Sequence, residues 1–179
     1  LPQLDLAAQL ESPFVVCVDL GQRSPSATDD MELLTQRFRT LAEDAAPRNL
    51  KMCLEFLARI GPVNCLSTAI RLVRQVDRPN FGLLLDLYHF HLSESRLDDL
   101  GALPEGKLFM GHLDDAPDVP IEWLTHNQRA FPGEGTLPIA RLLNEIRERT
   151  GFDGPWSVEL HSDWVWKLPP VEVVKRLKK

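Results

Sequence analysis

Cysteine is scarce in this 179-residue chain, and its pattern disfavours two classes at once. There are three cysteines, Cys17, Cys53 and Cys65, an odd number with no pair at metal-ligand spacing. That speaks against a disulfide-stapled scaffold and a thiolate zinc site. Cys17 and Cys53 sit inside apolar runs, so the cysteines read as buried, reduced thiols of a cytoplasmic protein. Long hydrophobic runs are lacking too. None reaches the ~18 residues of a membrane span, so no membrane partner is expected. The first residues, LPQLDLAAQLESP, lack the basic start and apolar middle of a signal peptide. They also lack an initiator Met, which leaves room for processing or truncation upstream. Positive charge is in deficit, with 20 Lys and Arg against 26 Asp and Glu, a net charge of −6. Such a surface repels phosphate backbones, so no nucleic-acid partner is expected.

What is present is an ordinary globular composition, 44% hydrophobic and 26% charged, enough for one substantial core. Two kinds of segment alternate. Five short apolar stretches span Phe14–Leu20, Lys51–Leu57, Phe81–Leu87, Lys107–Leu113 and Pro155–Leu160. Runs apolar on both alternating sets suit parallel strands covered on both faces. Between them lie helical patterns. Thr28 is placed to cap a helix carrying Met31, Leu34, Phe38, Leu41 and Ala45, stopped by Pro47. Asn64 is placed to cap a second, with Leu66, Ala69, Ile70 and Val73 on one face. Pro138 suits the first turn of a third, with Leu142, Leu143 and Ile146 inward and Gly151 as the stop. LDLAAQL and VEVVKRLKK frame the chain as two more, and Ser93–Leu100 reads as a short one. The regular alternation predicts an α/β fold with a parallel sheet, open or closed into a barrel. Asp114–Thr136 is the longest irregular stretch, and such loops inside domains are usually functional.

Each of the last four strands ends in an ionisable residue: Glu55, Asp86, His112 and Glu159. The C-terminal ends of parallel strands converge on one face, where α/β barrels hold their active sites. Taken alone, Glu55 or Asp86 is as readily a helix cap, and a lone His112 is more often a hydrogen-bonded core residue. Four at the same end of successive strands are hard to explain as separate caps. Three converging carboxylates repel one another unless a cation sits among them. Three carboxylates and one imidazole form a hard donor set that suits one Mn²⁺ or Mg²⁺ ion, with Co²⁺ or Zn²⁺ as alternatives.

The stretches CLEFL (Glu55), LLLDLYH (Asp86 and His89), MGHLDDAP (His112), RAFPGEGTLP (Arg129) and GFDGPWSVELHS (Glu159) together resemble the xylose isomerase-like TIM barrels, the sugar phosphate isomerase/epimerase superfamily. The resemblance runs from about residue 10 to the C-terminus. It implies that Glu55, Asp86, His112 and Glu159 hold one divalent cation. It also implies that Glu55 and Glu159 are catalytic proton carriers, and that His89 and Arg129 contact a small sugar or polyol substrate. The chemistry is coherent: a metal on a hydroxy-carbonyl compound acidifies the neighbouring C–H by stabilising the enediolate, and a carboxylate moves the proton. A full barrel has eight strands. The five visible here resemble the fourth to eighth, so the chain reads as a single domain over residues 1–179, the C-terminal portion of a barrel without its first three βα units. Open sheet edges leave a homo-oligomer open as a way to cover the gap.

Three other functions compete. A dehydratase of the 3-dehydroshikimate or inosose type would use the same metal and carboxylates and then expel a β-hydroxyl, and HLDDAP with RAFPGEGTLP resembles that branch. An endonuclease IV-like nuclease is disfavoured, because the Asp-x-His pair of that family reads Asn127-Gln128-Arg129 here. A non-catalytic barrel fragment acting as a binding module has no physical need for converging carboxylates. Asp114 is placed to orient a ligand. Trp123 and Trp164 fall in mouth loops, where packing is a simpler role than stacking on a sugar. His126 and His161 lie near the mouth without an assigned role, and the final KRLKK reads as a solvated helix end.

Overall fold

Helices and strands alternate as the hydrophobic pattern requires. The computed structural model describes residues 1–22 and 26–178. Its five strands are β1 (Phe14–Val18), β2 (Lys51–Glu55), β3 (Phe81–Asp86), β4 (Leu108–Leu113) and β5 (Trp156–Val158). They pair in parallel and in chain order, forming a curled half-barrel with β1 and β5 as its edges. Helices α1 (Pro2–Gln9), α2 (Ala27–Ala45), α3 (Leu66–Val76), α4 (Leu87–Leu92), α5 (Ile139–Thr150) and α6 (Pro170–Leu177) precede, connect and follow them. Parallel neighbours need such crossovers, because a tight turn cannot return the chain to the starting end.

The main core lies between the sheet and the helices. Met31, Leu34 and Phe38 of α2 and Ile70 and Val73 of α3 pack against Met52, Leu54, Leu83 and Leu85. The alternate residues Cys53, Leu84 and Phe109 cluster on the concave side. This two-sided burial explains why β3 reads as an unbroken apolar run. On edge strand β1, Val16 and Val18 remain 42% and 36% exposed.

The register carries a feature invisible in the pattern. Leu83 pairs with Leu108, but Leu84 pairs with Met110, so Phe109 is an extra residue in β4. Such a bulge re-aims every side chain beyond it. Asp86 therefore pairs with His112 instead of Gly111.

Several expected boundaries move. Ser26, not Thr28, caps α2, its hydroxyl accepting the Asp29 N–H at 3.2 Å. Asn64 does not cap α3; its side chain donates to the Gly61 carbonyl, and Cys65 holds the N-cap position. Pro138 sits just outside α5, whose first residue is Ile139, while Gly151 ends that helix as expected. No α-helix spans Ser93–Leu100. Instead α4 follows β3 directly, because the Asp86 carboxylate accepts the His89 N–H at 2.6 Å and caps it, and a 3-10 turn runs over Leu97–Ala102. Strands expected to reach Leu20, Leu57 and Leu160 stop at Val18, Glu55 and Val158, where neighbour pairing ends. Lys179 of the terminal KRLKK lies outside the described residues. All three cysteines are free, with Cys53 buried and Cys17 and Cys65 only half-buried. Among the described residues no helix is long and apolar enough to cross a membrane.

Candidate metal and substrate site

The strand ends deliver the expected quartet to one place. Glu55 and Asp86 are the last residues of β2 and β3, His112 is next to last in β4, and Glu159 follows β5 by one residue. One ligand atom from each lies within 4.8 Å of all the others. The His112 imidazole nitrogen Nδ1 stands 3.1 Å from Glu55 Oε1, 3.4 Å from Asp86 Oδ2 and 3.2 Å from Glu159 Oε2. Glu55, Asp86 and His112 are buried, and Glu159 is half-buried at the open side.

Arg129 comes from the long irregular loop. Two isolated antiparallel bridges, Asp115 with Ala130 and Gln128 with Ser162, lay the loop across the rim. The Arg129 side chain is among the largest fully buried in the molecule. Its Nη1 donates to Asp86 Oδ2 and Glu159 Oε2, both at 2.7 Å, and to Asp114 Oδ2. Its guanidinium lies 5.3 Å from the centre of the Tyr88 ring. Asp114 thus orients Arg129, and it also lies beside the Asp86 carboxylate. His89 Nδ1 accepts the Ala58 N–H at 3.2 Å, which leaves the proton of the neutral ring on Nε2. Arg129 Nη2 lies 3.2 Å from that same Nε2. Two N–H donors therefore face one small volume, an arrangement that a shared acceptor oxygen resolves.

The electrostatics follow from this crowding. Burial opposes ionisation of Asp86, but His112 and Arg129 outweigh it and hold its carboxyl well below the usual range. Burial dominates for Glu55 and raises its carboxyl, with the other two carboxylates adding to the rise. Burial also disfavours a charged His112, yet the three carboxylates outweigh it and push the imidazole up to about 11. His89 goes the other way: burial lowers it to about 4, so it is neutral near pH 7. Asp114 is raised well above the usual carboxylate range, first by burial and then by Asp86.

The residues left open by the sequence also find places. His126 packs on His89, ring centres 5.1 Å apart. His161 Nε2 stands 3.5 Å from Glu159 Oε1. Trp164 packs edge-on against Phe131, while Trp123 is 69% exposed and packs little. Sequence reasoning missed Arg59, which reaches the Leu124 and Ile121 carbonyls and straps the mouth loop, and Tyr88, whose hydroxyl donates to Thr125 O. It also gave Asp115 no role. The only sequence signal for Asp115 was a second Asp after His-Leu-Asp, ahead of a glycine-rich turn.

The quartet fits a divalent ion on its own chemistry. Three carboxylate oxygens and one imidazole nitrogen converge with the charge surplus that a cation neutralises, and oxygen-rich sets of this kind select hard divalent ions.

A curled parallel sheet with a four-residue acid–imidazole cluster at its strand ends defines a metal-site α/β barrel protein. The chain belongs to the xylose isomerase-like TIM barrel family, whose model matches residues 2–179. It is 33% identical over 177 residues to inosose isomerase of Halalkalibacterium halodurans, covering 98% of this chain and 62% of that protein. It is 34% identical over 166 residues to 3-dehydroshikimate dehydratase of Pseudomonas putida, covering 90% of this chain and 25% of that one. Among solved structures, the IOLI protein with a binding zinc atom superposes with a TM-score of 0.90 at 28% identity, covering 99% of this chain and 64% of that chain. The chain thus spans about three fifths of the length of the inosose isomerase it matches.

Proposed function

We propose that this chain carries the metal and proton-transfer centre of a sugar or polyol isomerase or epimerase acting beside a carbonyl, with an inosose-type ring ketone as substrate class. The observation that carries the reading is the convergence of Glu55, Asp86, His112 and Glu159 within 4.8 Å, flanked by the paired donors of His89 and Arg129. The inosose isomerase relatives support the substrate class. A divalent ion held by the quartet supplies a Lewis acid that makes a C–H beside a carbonyl more acidic. Mn²⁺ and Mg²⁺ suit the donor set, and the zinc reported with the IOLI protein supports Zn²⁺ on a similar scaffold. His89 Nε2–H and Arg129 Nη2–H bind and orient a substrate oxygen. Neutral His89 donates a hydrogen bond without delivering a proton, since burial keeps it deprotonated near pH 7. Glu55 and Glu159 enter the cluster from different strands, which suits one for removing the proton and the other for returning it. Return to the neighbouring carbon isomerises; return to the opposite face of the same carbon epimerises.

A second reading is supported by the Pseudomonas putida relative: the same proton abstraction followed by loss of a β-hydroxyl, a dehydration. One experiment separates the readings. The protein loaded with Mn²⁺ is incubated in D₂O with inosose and, separately, with 3-dehydroshikimate, and products are followed by NMR. Deuterium at the carbon beside the carbonyl of inosose is expected, and Glu159→Gln should abolish it while the fold persists. Water loss from 3-dehydroshikimate moves the assignment to a dehydratase. A fully metal-loaded sample that exchanges no C–H in either compound sinks both.

A further inference from the structure

Arg129 reaches the cluster from a loop with almost no regular structure, and a single buried carboxylate holds that loop. Asp115 is fully buried and is not one of the clustered ligands. Its Oδ1 accepts the N–H groups of Ala116 at 2.8 Å and Leu137 at 2.9 Å. Its Oδ2 accepts those of Gly133 at 2.9 Å and Gly135 at 3.0 Å. Three of these four backbone donors belong to the Pro-Gly-Glu-Gly-Thr-Leu turn and gather it around the carboxylate. The Asp115 main chain also exchanges two hydrogen bonds with Ala130, the residue after Arg129, at 3.2 and 2.8 Å. Its other neighbour, Asp114, takes a hydrogen bond from Arg129 itself. The turn closes without spare room: a Cβ at Gly135 would overlap the Asp115 carboxylate and the Ala116 carbonyl.

We propose that Asp115 is a positioning residue. It fixes the Arg129 guanidinium over Asp86, Asp114 and Glu159 and beside His89, while bonding to none of the four quartet side chains. What Arg129 binds rests on the function proposed above; the geometry that holds Arg129 does not. An amide at this position breaks the arrangement selectively. Asn offers one carbonyl oxygen to two of the four donors and turns its own NH₂ against the other two.

The test is Asp115→Asn in the whole chain, loaded with Mn²⁺. Four readouts separate positioning from general support. Amide exchange at Gly133, Gly135 and Leu137 should accelerate. The resolved Nη–H NMR signals of Arg129, held apart by its ion pairs, should broaden or merge. Inosose affinity should fall about 10- to 100-fold, the usual scale for losing an orienting partner. Amide exchange in β2 and β3 should stay unchanged, because the Asp115 side chain bonds only to Ala116 and to the turn over 133–137. Gly135→Ala presses on the same carboxylate and on the Ala116 carbonyl and should give the same signature; it carries the test if the Asn variant does not fold. Unchanged Arg129 signals in a variant whose glycine amides have lost protection would overturn the proposal. So would exchange accelerated across β2 and β3 as much as in the turn, or unfolding of both variants, since Asp115 would then support the fold at large. If the unaltered protein binds no inosose, the proposed function fails, and the Arg129 signals still decide the role of Asp115.

Discussion

Arg129 is the residue on which the site's charge balance turns. One nitrogen serves Asp86, Asp114 and Glu159, and the first two of these are fully buried. Removing one partner of a buried ion cluster leaves uncompensated charge, typically costing about 3–5 kcal/mol. Arg129→Leu is therefore expected to lower unfolding free energy by roughly that amount in urea titrations with chelator present. A loss under about 1 kcal/mol would show that Arg129 is not the counter-ion of this cluster. At this scale much was legible. Residues placed at strand ends, and the Asp-x-x-His spacing that puts His89 one helical turn past Asp86, are local facts. That Arg129 is buried among carboxylates was not legible, because its partners lie 15 to 43 positions away in the chain. Asp115 was missed for a related reason. Its four donors are backbone groups, and backbone donors look alike in every sequence.

At the scale of elements, β4 decides the geometry. Its bulge, which leaves Phe109 unpaired, brings His112 level with Asp86; with Phe109 paired in regular register Gly111 would stand there and the imidazole would point to the opposite face. Gly111 has its own role. It pairs with Trp156, and a Cβ there would run into the indole. Gly111→Ala should force β5 outward, costing about 1–3 kcal/mol as overpacking does. Because Glu159 rides on β5, Mn²⁺ affinity should fall with it. Calorimetry showing unchanged affinity in a destabilised variant would mean that Glu159 is placed by its own loop. The strands themselves were readable as apolar runs, and α2, α3 and α5 from their apolar faces. The short α4 was not, since it consists of Leu-Tyr-His-Phe-His-Leu, every residue buried or half-buried, with no polar face to reveal a period.

For the whole molecule, cation binding and folding are linked. The quartet draws on four strands, so an ion that binds it binds only the folded chain. At a hundredfold excess over Kd the gain is about 2.7 kcal/mol, or roughly 5–10 °C in Tm for a chain of this size. Calorimetric melting with Mn²⁺ and then with EDTA checks this. A Tm that ignores both would place the ion elsewhere or nowhere. The half-barrel also exposes Val16 and Val18 on its concave side and Val158 on β5, edges that a pattern of βα units anticipates but cannot close. By itself the sequence determined the class of fold, the order of its elements and the chemical character of the site. These rest on local hydrophobic period and on which residue ends each strand, both properties of neighbouring positions. Only the tertiary structure decided that His112 meets Asp86, that Arg129 turns inward, and that Asp115 anchors its loop. Each depends on strand register or on hydrogen bonds closed across long stretches of chain, and those energies exist only once the distant segments are packed together.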